Sequence, residues 1–94
     1  MLNEALRLFR IYNDLKITEL ADQIGLSPSY ISELEAGKKS PSLKVISKYA
    51  TRFDVPSSAI FGFAEQLEAD PHGLKARIAR TVFGFLKKVE QNGQ

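Results

Sequence analysis

The stretch from Ile17 to Leu34, ITELADQIGLSPSYISEL, limits what the chain can fold into more than any other. Ile17, Leu20, Ala21 and Ile24 recur at helical spacing, so they share one face. At Gly25 the helix must stop and the chain must reverse. A left-handed residue there costs about 1–2 kcal/mol for any side chain with a Cβ, and glycine escapes that cost. Ser27-Pro28 restarts the helix. The hydroxyl can cap free N–H groups, and proline at the first helical position forfeits no hydrogen bond. Ile31 and Leu34 form a second apolar stripe set against the first. Ala21 is small where two steeply crossed helices must approach closely.

The remaining chain supplies elements to pack around this pair. Leu2, Ala5, Leu6, Phe9 and Tyr12 predict an amphipathic helix over 2–13, ended by Asn13-Asp14. The central helices are expected over 17–24 and 28–36, the second closed by Ala36-Gly37. Lys38-Lys39-Ser40-Pro41 is a loop. Ser42 caps a fourth helix with the apolar set Leu43, Val45, Ile46, Tyr49, Ala50 and Phe53. A fifth, over 57–67, carries Ile60, Phe61, Phe63, Ala64 and Leu67, with Gly62 weakening it. No segment alternates as a strand does, so the expected class is all-α. Residues 1–67 form the five-helix domain, and 68–94 an additional amphipathic C-terminal helix.

That last helix opens on Asp70-Pro71, an N-cap followed by a first-turn proline. Leu74, Ile78, Val82, Phe85, Leu86 and Val89 make one apolar stripe. An isolated helix of this length is marginal in water, so the stripe must bury something. Its partner is the body of its own chain, its copy in a second subunit, or a foreign protein. A homodimer is the favoured reading, since doubling matches a two-fold-symmetric target.

Composition removes several function classes. The chain has no cysteine and one histidine, which excludes disulfides, thiol chemistry and a Cys/His zinc site. His72 reads as a solvated residue, and no metal or cofactor is expected. There is no phosphate-cradling glycine loop and no paired acid–base constellation, so the chain does not read as an enzyme. No apolar run approaches the roughly 18 residues that span a bilayer. The acid-bearing amphipathic start is unlike a signal peptide, and the expected compartment is the cytoplasm.

Charge placement says more than net charge, which is only +2. Lys38, Lys39, Lys44, Lys48 and Arg52 occupy a window without a single acid. A basic stripe beside the second central helix is what phosphate contact requires; the bland alternative is a solvated helix face. A helix–turn–helix unit with its second helix left outside is the arrangement that enters a DNA major groove.

Glu19-Leu20-Ala21, Gly25-Leu26-Ser27, Tyr30-Ile31-Ser32, Leu34-Glu35-Ala36-Gly37-Lys38 and Pro41-Ser42-Leu43, in register over residues 2–67, resemble the lambda-repressor-like, Xre family of bacterial and phage regulators. The resemblance implies five helices with the third as reader, and sequence-specific binding to double-stranded DNA as a dimer on a near-palindromic operator. It implies base-facing roles for Ser27, Pro28, Ser29, Tyr30, Ser32 and Glu33. Glu33 can accept from cytosine N4 or serve only as helix surface. Tyr30 can meet a thymine methyl or pack against the preceding helix. Lys16, Lys38, Lys39, Ser40 and Lys44 are the phosphate candidates. Ala21, Gly25 and Ile31 are structural, and Arg10 is expected to pair with Glu35. The departure lies at Lys16-Ile17, where the family has a Ser or Thr cap followed by Gln. Lysine cannot accept a hydrogen bond, so the second helix lacks its usual cap. The implied function is transcriptional regulation, more specifically repression. The competing reading is an antitoxin or partner-controlled regulator whose last helix grips another protein. With 94 residues, no separate ligand domain is expected, so switching falls to dimerisation, a partner or protein level.

Overall fold

The computed structural model describes residues 2–70 and 72–73. Among them are five helices: α1 (Leu2–Tyr12), α2 (Ile17–Ile24), α3 (Pro28–Glu35), α4 (Leu43–Phe53) and α5 (Ser57–Ala69). No strand occurs among the described residues. The all-α class is as expected, and the first four helices end within a residue of expectation. The fifth runs to Ala69, two residues past its expected end. Gly62 does not break it, although glycine inside a helix costs about 0.5–1 kcal/mol. Burial of Ile60, Ala64 and Leu67 on one side offsets that loss.

The core is centred on Leu6, Leu20, Ile31, Leu34, Ile46, Tyr49 and Ile60. The central pair, α2 and α3, is held by α1 against α3 and by α4 against α2, while α5 braces α1 and α4. Phe9 stacks on Phe53 and meets Phe63 edge-on, joining α1, α4 and α5.

Two apolar expectations change, and one buried residue was not foreseen. Leu43 was expected in the core face of α4 but is 76% exposed. It occupies the first turn, and no described element covers it, whereas Val45, Ile46, Tyr49 and Ala50 are buried. Phe61 was expected inside and is 37% exposed. The inward row of α5 is Ile60, Ala64 and Leu67, and Phe61 lies about 100° around from Ile60. Conversely, Leu8 is buried with Ala5 against Ala64 and Leu67. Periodicity identified one row on α1, and Leu8 belongs to a second.

Leu74, Ile78, Val82, Phe85, Leu86 and Val89 lie outside the described residues. At the entrance to that segment, the Asp70 carboxylate accepts from the Gly73 N–H at 3.1 Å, as an N-cap does three residues on. His72 is exposed.

Candidate nucleic-acid interface

The turn is built as its residues require. Gly25 is left-handed, with φ 71° and ψ 35°, and its N–H bonds to the Ala21 carbonyl. The Leu26 N–H reaches the same carbonyl at 3.0 Å. Ala21 is 2% exposed, packed into the core beside Ile31 and Leu34. Ser27 Oγ accepts from the Tyr30 N–H at 3.1 Å and caps α3, with Pro28 as its first residue. At the start of α2, Lys16 makes no side-chain cap. Instead the Glu19 carboxylate accepts from the Lys16 N–H at 2.8 Å, half of a capping box. The N–H of the cap residue is thus satisfied, while the missing side-chain acceptor for the first turn remains as expected.

The far end of α3 is clamped. Glu35 is 6% exposed. Arg10 Nε donates to both its carboxylate oxygens at 3.0 Å, and Arg10 Nη2 lies 2.9 Å from Oε1. Arg10 Nη1 donates to the Leu15 carbonyl at 2.8 Å, so one guanidinium ties α3 to the α1–α2 corner. The Tyr49 hydroxyl donates to Glu35 Oε2 at 3.4 Å, and Asn3 Nδ2 donates to the Glu35 carbonyl at 3.3 Å. Burial, then the adjoining carboxylate, push the Tyr49 phenol far above its ordinary value near 10. Neither Asn3 nor the hydroxyl of Tyr49 was foreseen at this site. A tyrosine within a core stripe is a usable signal, because its buried hydroxyl needs a partner.

With both ends fixed, α3 turns a polar side outward. Ser27, Pro28, Ser29 and Ser32 are exposed, and Tyr30 and Glu33 are half-buried. Tyr30 is partly buried against the core cluster. Gly37 takes φ 79°, and the Lys38 N–H bonds to the Glu33 carbonyl at 2.9 Å, which sets the following loop. Lys38 and Ser40 are exposed there, and Lys44 is exposed on α4. No described acid pairs with Lys38 or Lys44. Lys39 stands otherwise: its Nζ is 3.5 Å from Glu33 Oε2 and 5.6 Å from the Tyr30 ring centre.

The basic window divides in two. Lys38 and Lys39 flank α3, whereas Lys44, Lys48 and Arg52 line a groove of about 440 Å³ between α2 and α4. Lys48 Nζ donates to the Ile24 carbonyl at 3.3 Å, and Arg52 Nε donates to Gln23 Oε1. Lys48 therefore satisfies an orphan carbonyl at the C-terminus of α2, which has no basic residue in its own last turn. No described helix is long and apolar enough to cross a membrane.

The Helix-turn-helix family model matches residues 6–60, more than half the chain. Among solved structures, the clp gene regulator ClgR from Corynebacterium glutamicum superposes with a TM-score of 0.64 at 29% identity, over 84% of this chain and 86% of that one. No curated protein matches. A left-handed glycine between two short crossed helices, a serine-capped second helix and the agreement of that frame with the family's matched span lead to one assignment: the chain belongs to the helix-turn-helix family, among its Xre/lambda-repressor-like DNA-binding domains.

Proposed function

We propose that the protein is a transcriptional repressor that binds a near-palindromic operator as a homodimer, with α3 in the major groove. The observation that carries this reading is the exposed start of α3, anchored at both ends and flanked by Lys38, which has no described acid partner. Ser27, Ser29 and Ser32 can each donate to or accept from several base edges, and Pro28 and Tyr30 offer apolar surface. Lys38, Ser40 and Lys44 grip phosphate, and Lys16, exposed before the start of α2, adds a further phosphate contact. The unneutralised lysines favour this role, because displaced counterions drive such binding. The likeness to a gene regulator supports the regulatory role. Repression follows from occupancy: a domain seated on a promoter excludes other proteins without further chemistry.

Selection of duplexes from a random pool, at two salt concentrations, tests this. The expected product is a site with two half-sites about 10–10.5 base pairs apart. Affinity should fall by about 0.9 logarithmic units per neutralised phosphate for each tenfold rise in salt. A pool that enriches no sequence in dilute buffer would refute the reading.

A further inference from the structure

Glu33 poses an electrostatic problem for any helix that approaches DNA, because a carboxylate is repelled by phosphate. The structure answers it locally. Lys39, from the loop after α3, lies 3.5 Å from Glu33 Oε2, and its ammonium sits over the Tyr30 ring, 5.6 Å from the centre. The side chains remain open to solvent, at 54% for Lys39 and 39% for Glu33. An acceptor on α3 and a donor from the loop that follows it therefore stand side by side, with an aromatic face beneath the donor.

We propose that Glu33 and Lys39 act as one composite reader of a single C·G base pair; this rests on the major-groove placement of α3 proposed above. In the major groove, cytosine presents the N4 amino donor, and guanine presents the O6 and N7 acceptors. N4 and O6 are hydrogen-bonded to each other, hence about 2.9 Å apart. A carboxylate and an ammonium separated by 3.5 Å match that edge with opposite polarity. Glu33 accepts from N4 while Lys39 donates to O6 or N7. Thymine puts an acceptor and a methyl where cytosine has its donor, and adenine puts a donor where guanine has O6. Each of those swaps sets like against like. Lys39 lowers the repulsion that the carboxylate meets, and Tyr30 holds the ammonium near the helix rather than releasing it to the backbone.

The test is selection from a random duplex pool with the full chain, its Glu33→Gln variant and its Lys39→Ala variant, followed by affinity measurement on the enriched sites. Each variant's melting temperature is compared in parallel. The expected result is one position per half-site where the full chain requires C·G by about ten- to a hundredfold. Glu33→Gln should move that position to A·T, since glutamine pairs bidentately with adenine. Lys39→Ala should relax the same position and leave the others unchanged. The proposal is overturned if Glu33→Gln selects the parent site, or if Lys39→Ala weakens all duplexes by one factor, the mark of a phosphate contact. A shift in melting temperature without a change of site also overturns it, since the pair then only braces the helix. If the full chain itself enriches nothing, the failure lies with the DNA-binding reading instead.

Discussion

Glu33 and Glu35 sit two residues apart on one short helix and meet opposite surroundings. Glu35 is sealed and held by Arg10, Tyr49 and a backbone clamp from Asn3. Glu33 faces outward with one lysine beside it. Removing one partner of a buried pair leaves an uncompensated charge, so Arg10→Met should cost about 3–5 kcal/mol in urea unfolding. Breaking the exposed pair with Lys39→Ala should cost about 1 kcal/mol or less. The phenol of Tyr49 gives a pH signature. Its proton is held more tightly in the folded protein than in the unfolded chain, so that stability is intact below pH 10 and declines as pH rises above it. The decline is bounded at about 1.4 kcal/mol per pH unit. Tyr49→Phe should lose about 0.5–1.5 kcal/mol at neutral pH. Its melting temperature should then fall less steeply than the parent's above pH 10. The Arg10–Glu35 pair was legible only through the family resemblance, because nothing in a separation of 25 residues signals contact.

At the scale of elements, the turn between α2 and α3 is where local sequence speaks most plainly. A Cβ at Gly25 would meet nothing within 4 Å, so substitution there is opposed only by the left-handed backbone. Gly25→Ala should therefore cost about 1–2 kcal/mol, and Gly25→Asn less, as read by thermal unfolding. Ala21→Leu differs in kind. It forces extra volume into a closed helix crossing and should cost about 1–3 kcal/mol while tilting α3. Helix positions, caps and stops were readable because each depends on neighbours within a turn or two. Ser42, for example, accepts from the Val45 N–H at 3.2 Å as its sequence position implies. Leu43 and Phe61 were misread, and Leu8 missed, for one shared reason. Periodicity gives the direction of a face but not whether another element lies opposite it. Lys48 shows the same limit for charge: it was counted toward a phosphate stripe, yet its ammonium bonds to the end of α2.

At the scale of the whole molecule, the residues that hold any duplex differ from those that read its sequence. Lys38 and Lys44 carry no described acid partner and should contribute to all DNA alike. The double variant Lys38→Ala, Lys44→Ala should weaken operator and random duplexes equally, and reduce the salt slope by about 1.8, at 0.9 per phosphate. Dimerisation is a separate matter. Because α5 extends to Ala69 and Asp70 accepts from the Gly73 N–H, a cut after Gly73 keeps the five helices whole. If the apolar stripe from Leu74 to Val89 joins two subunits, sedimentation should show a dimer for the full chain and a monomer for the shortened one. The outward side of α3, with its following loop, is the surface that DNA is expected to cover. Amide NMR spectra of the labelled chain, titrated with a mixed-sequence duplex in dilute buffer, test it most directly. Shifts are expected to concentrate at residues 27–33 and 38–44, and a set of shifts on the α1–α5 side with none on α3 would refute this placement.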